Sequence, residues 1–169
     1  MPRLSLYKGI LKLLMGVMLM STFSCTSVDD DRIPWAPVRV PFNATLWSEH
    51  IRPAAGVHHR FVKSSMLPSW YPYTEISATG FGGILLVVDY ANQPVAYDLA
   101  CPYEVRRDVL IEVDEEAAMA RCPKCGSTYY IFNNYGLPAS GPAHDHNYAL
   151  KRYNVVGPMT GIDYYTVQN

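Results

Sequence analysis

No stretch of the 169-residue chain reaches the ~20 consecutive apolar residues that a membrane-spanning helix needs. Charge is scarce as well: 17% of residues are charged and the net charge is -1, so the balance carries no sign of a nucleic-acid partner. There is no internal repeat, no Ser/His/Asp order and no nucleophile elbow, so catalysis is not expected. CxxC occurs once, and a closed site of four cysteines from this domain is excluded. What is present is 49% hydrophobic residues, which suits a packed core, with thirteen Tyr and thirteen Pro that tilt it towards strands and turns.

Residues 1–24 read as a leader. Arg3 and Lys8 supply a positive start, Leu13 to Met20 (LLMGVMLM) a short apolar stretch, and STFSC ends it with Ser24 before Cys25. This resembles a bacterial lipoprotein signal, in which cleavage leaves Cys25 as the lipid-bearing N-terminus. TSVDDDR and the Pro-rich IPWAPVRVP follow, and residues 25–42 are expected to form an acidic, Pro-rich tether. The expected location is the outer membrane, facing the periplasm or the outside, with the lipid as anchor. An envelope protein whose identity the sequence does not give is the expected partner.

From residue 43 onward the chain is punctuated every few residues. ILLVVDY (84–90) is a continuous apolar run, as in a strand buried on both faces, and Asn92-Gln93 turns it into the return strand PVAYDLA. LIEVDEEAAMARC reads as strand, acidic turn, strand; STYYIF and the final GIDYYTVQN are further strands. Short strands at this spacing predict an all-β sandwich or barrel over 43–169. SWYPY (69–73) is expected to pack, and His58-His59 to lie at the surface or to place one ring on each face of a strand.

Three cysteines remain beyond Cys25, and each falls at a strand-to-loop junction: Cys101 in CPY, Cys122 and Cys125 in CPKCG. Three sulfurs are one short of a tetrahedral zinc site, with Tyr103, His144 and His146 as candidates for the fourth ligand. In an oxidising compartment an odd count also fits one disulfide and one free thiol, and spacing does not choose the pair.

VVDYANQPVAYDLACPYE, then RCPKCGSTYYIFNNYGLPASGPA and ALKRYNV, resemble the cluster-binding core of Rieske iron–sulfur domains over roughly residues 80–156. The resemblance implies a sandwich of short antiparallel strands with two Cys-bearing loops at one end. It also implies that Ser-Gly-Pro-Ala closes over the site. The family has Cys-x-His in one loop and Cys-x-x-His in the other; here Tyr103 and Cys125 stand where those histidines would be. Two His ligands on one iron are what raise a Rieske potential, so a standard centre is not expected. The leader also has no Arg-Arg pair, as export of a folded cluster protein would require.

The expectation is therefore a degenerate Rieske-like domain acting as a structural or interaction module. At its centre it places a disulfide among Cys101, Cys122 and Cys125 first, and zinc on them with Tyr103, His144 or His146 second. Third comes electron transfer through an atypical [2Fe-2S] cluster on Cys101, Cys122, Cys125 and Tyr103.

Overall fold

The computed structural model describes residues 27–51, 54–157 and 164–169; the leader and the lipidation candidate Cys25 lie outside them. Among the described residues are eleven strands: β1 (Val38–Asn43), β2 (His58–Phe61), β3 (Ala78–Thr79), β4 (Ile84–Val88), β5 (Pro94–Asp98), β6 (Glu112–Asp114), β7 (Met119–Arg121), β8 (Thr128–Tyr129), β9 (Pro138–Ser140), β10 (Arg152–Val156) and β11 (Tyr164–Gln168). Two short α-helices, α1 (Ala44–Leu46) and α2 (Pro142–Asp145), complete the regular structure together with a π-helical turn (Trp47–Ile51) and two 3-10 turns (Lys63–Ser65 and Asn134–Gly136). The fold is all-β, and every strand pairs antiparallel with its neighbours.

Seven strands form one sheet in the order β2-β4-β5-β10-β11-β1-β3. Its two edges come back towards each other: the Lys63 N–H donates to Thr79 Oγ1 at 3.4 Å, and Lys63 Nζ donates to the Ser77 carbonyl at 2.8 Å. The sheet is thus nearly closed, with Lys63 bridging its two edges. Four strands, β6-β7-β8-β9, make a second, smaller sheet.

β4 explains how the two halves join. Ile84, Leu86 and Val88 face a core inside the curled sheet, shared with Val40, Phe42, Phe61 and Tyr71. Leu85 and Val87 face a second core, shared with Leu99, Ile111, Tyr129 and Ile131. A strand with water on one side would alternate; this one is a wall between two cores, and every residue in it is buried. SWYPY packs as expected, with Trp70, Tyr71 and Tyr73 against the first core, and His58-His59 lies on β2.

The tether expected over 25–42 needs correction in its second half. Ile33 is 1% exposed, and β1 begins at Val38 with Val38, Val40 and Phe42 turned inward. Proline at 34, 37 and 41 made this segment look like linker. Yet within a strand a residue's N and O point to the same edge, and the Pro41 carbonyl accepts from Tyr71 Oη at 2.6 Å. The N–H that Pro41 lacks therefore falls on the edge of β1 that β11 does not use, where the ladder loses nothing.

Candidate metal centre

Cys101 lies three residues beyond β5, in a loop held by its own backbone. Its N–H donates to the Val109 carbonyl at 3.1 Å, and its carbonyl accepts from Val105 N–H at 2.8 Å. Val105 closes that turn at φ 51°, a conformation costly for a β-branched residue. The second loop joins β7 to β8. Cys122 N–H donates to the Ser127 carbonyl at 2.9 Å and Gly126 N–H to the Cys122 carbonyl at 3.0 Å, with Gly126 at φ 75°. Only glycine takes that angle at no steric cost.

These two loops bring Cys101, Cys122 and Cys125 together, their sulfurs all within 4.8 Å of one another. Cys101 and Cys122 are fully buried and Cys125 is partly exposed. Lys124 of the second loop pairs with Glu104 of the first and ties the two across the site. The disulfide expected first is corrected here. All three cysteines are free, and Cys101 Sγ stands 3.7 Å from Cys125 Sγ where a bond would need about 2.05 Å.

A third loop covers the sulfurs. Ala143 N–H of α2 donates to Ser127 Oγ at 3.0 Å, and the same hydroxyl lies 3.2 Å from Cys125 Sγ. With Ala143 occupying a lone pair, the Ser127 proton is left to point at sulfur whenever Cys125 is a thiolate. Tyr129 Oη lies 3.4 Å from Cys101 Sγ. Burial, then the nearby thiols, push this phenol well above its ordinary range, so it stays protonated as a donor.

The same burial pushes the Cys101 thiol up to about 12, with the Tyr129 hydrogen bond opposing it. For Cys125 burial acts upward too. Hydrogen bonds with the side chain and backbone of Ser127, and with the Cys122 and Cys101 thiols, outweigh it and bring the group below its usual value. One cysteine is thus accessible and readily ionised, while Cys101 needs a cation or a hydrogen bond to lose its proton.

The other candidates lie around this centre. Neither His144 nor His146 joins the group of close donors. His144 is exposed beside Asp145. The His146 ring stacks with Tyr103 (centroids 6.0 Å apart) and with Tyr148 (5.2 Å), and the Arg32 guanidinium lies 4.2 Å over the Tyr148 ring. Tyr103 is 38% exposed and belongs to this stack. The phenol that reaches a cysteine is Tyr129.

Asp98 anchors the approach to Cys101. It is fully buried, and its carboxylate accepts from Phe81 N–H (2.9 Å), Gly82 N–H (3.0 Å), Ala100 N–H (2.7 Å) and Tyr153 Oη (2.6 Å). A Cβ on Gly82 would lie 2.7 Å from Ala100 N, so the Gly80–Gly83 turn is held flush against the residue before Cys101. Sequence reading did not single out Asp98. Its signal was a lone acid at the end of an otherwise apolar strand, followed in space by a glycine-rich turn.

Two ligands on one tetrahedral ion, with metal–sulfur bonds of about 2.3 Å, stand about 3.8 Å apart. The Cys101–Cys125 separation of 3.7 Å has that size. Ligands on the two different irons of a cluster are spread further by the bridging sulfides. A Rieske centre also has two imidazole ligands, and no histidine joins the three sulfurs, so this donor set does not fit one. No known protein-family model matches the chain, and no curated protein matches it either.

Proposed function

We propose that this chain is a membrane-anchored envelope lipoprotein whose Rieske-like β domain holds one soft divalent cation, zinc, on Cys101, Cys122 and Cys125. The domain works as a structural and interaction module. The observation that carries this reading is the trio of free thiols within 4.8 Å, two of them fully buried. Three thiols so close in a hydrophobic core repel one another once ionised, and a divalent cation is the partner that makes their proximity favourable. Borderline-soft zinc suits thiolate donors and can be acquired after export, when the ligands meet the ion. The ion would bridge the two Cys loops, and so lock the small sheet against the large one. A fourth ligand would come from water or from a bound partner.

The test is elemental analysis with thiol counting on the full chain, extracted in detergent under reducing conditions. One zinc per chain, with all three thiols protected until a chelator is added, is the expected result. Iron with labile sulfide would make the protein an electron carrier. Absence of any metal at saturating zinc would leave a metal-free scaffold.

A further inference from the structure

We propose that the three-cysteine centre is a redox-gated metal site, in which oxidation joins Cys101 to Cys125, leaves Cys122 unpaired and releases the ion. This rests on the metal-site reading above and adds its regulation.

The argument is one of access and distance. Cys101 and Cys122 are 0% exposed, so an oxidant in solution meets Cys125 alone. Whatever forms on Cys125 then stands 3.7 Å from Cys101 Sγ, on the opposing loop. The ~2 Å of closure that a bond requires falls between two loops already drawn together by the Lys124 and Glu104 side chains. Cys101 and Cys122 are both held by backbone hydrogen bonds in their loops, and it is Cys101 whose sulfur makes the direct contact with Cys125.

The chemistry balances with a small-molecule disulfide as oxidant. The Cys125 thiolate attacks one of its sulfurs, forming a mixed disulfide and expelling one thiolate. The Cys101 thiolate then attacks the Cys125 sulfur, forming the Cys101–Cys125 bond and expelling the second thiolate. Two electrons pass from the protein to the external disulfide. Two of the ion's three protein ligands are consumed, and Cys122 alone does not retain it. The covalent bond replaces the ion as the link between the loops, so the fold is held in both states while the metal is held in one.

The experiment loads the reduced full chain with zinc and measures metal content. It then adds oxidised glutathione, follows released zinc with a chromogenic chelator, and maps the cysteines by mass spectrometry. The expected result is stoichiometric release, a Cys101–Cys125 crosslinked peptide, Cys122 open to alkylation, and recovery of zinc binding on reduction. Cys122→Ser should still form the crosslink, and Cys125→Ser should not. Zinc bound before oxidation but retained after it, or a Cys122–Cys125 bond instead, would overturn the gate and leave the metal site standing. Failure of the reduced chain to take up zinc at all would remove the site itself, and the gate with it.

Discussion

Gly141 is packed so tightly against Ser127 that a Cβ placed on it would lie 2.9 Å from Ser127 Cα. This is the contact through which the third loop closes over the sulfurs, because Ser127 Oγ takes its hydrogen bond from Ala143 two residues on. Gly141 also has φ 78°. Its ψ of −170° puts it outside the left-handed helical well, in a region essentially open to glycine alone, so Gly141→Ala should cost about 1–3 kcal/mol of backbone strain plus a clash of about 1–3 kcal/mol. Gly126 is the comparison without the clash, since at φ 75° its added Cβ meets nothing within 4 Å. Thermal unfolding should show Gly141→Ala losing clearly more than Gly126→Ala. Equal losses would mean that the third loop is not held through this contact.

Asp98 gives a dependence on pH. Burial raises its pKa above the ordinary carboxylate value, opposed by the Tyr153 hydroxyl and three backbone N–H groups. A group whose folded pKa is raised binds its proton more tightly in the folded state. Its contribution is then greatest at or below the unfolded value near 3.8 and is lost as pH rises through the folded value. Urea midpoints should fall across that window in the wild type and stay flatter in Asp98→Asn. A midpoint that rises with pH would show that the four donors outweigh burial and hold the carboxylate ionised. Asp98→Ala, which orphans all four donors, should cost about 3 kcal/mol or more at any pH.

Tyr129→Phe keeps the buried ring and removes only the hydroxyl 3.4 Å from Cys101 Sγ. Stability should change by about 1 kcal/mol at most, while zinc affinity in a chelator competition should weaken by about 10–100-fold, the range for a lost partner of a metal ligand. Unchanged affinity would reduce Tyr129 to core packing.

The fold was legible where periodicity had one cause. ILLVV reads as a doubly buried strand because it is one, with Leu85 and Leu86 in different cores. The acidic turn between β6 and β7 announces its own hairpin. The segment around β1 was harder, because prolines signal linker unless one knows which edge of the strand they occupy. The three cysteines were placed together by their position after strands. Their state was not legible, since a bond and a 3.7 Å contact leave the same residues in the same order. Tyr129 and Tyr130 differ only in facing: β8 turns Tyr129 into the core and leaves its neighbour half-buried, a distinction that two strand residues are too few to signal.

His146 marks the boundary of the centre. Its ring stacks with Tyr103 and Tyr148 and does not belong to the close sulfur group. His146→Ala should therefore leave zinc affinity unchanged and cost about 0.5–1.5 kcal/mol for each stacking partner it loses. A fall in affinity as large as that of a cysteine variant would instead make His146 the fourth ligand.

Thiol reactivity tests the electrostatics of the site directly. In protein stripped of metal, Cys125 is partly exposed and has its thiol below the ordinary value, whereas Cys101 is fully buried with its thiol at about 12. Thiolate is the reacting species, so iodoacetamide labelling of Cys125 should level off at a pH below the ordinary thiol range. Cys101 should stay unlabelled until the protein unfolds. Ser127→Ala removes the first of the hydrogen bonds that favour the Cys125 thiolate, so the labelling profile should move to higher pH without opening Cys101. If Cys101 were labelled as fast as Cys125, the two loops would be opening together in the absence of metal. The ion would then hold the site shut as well as occupy it.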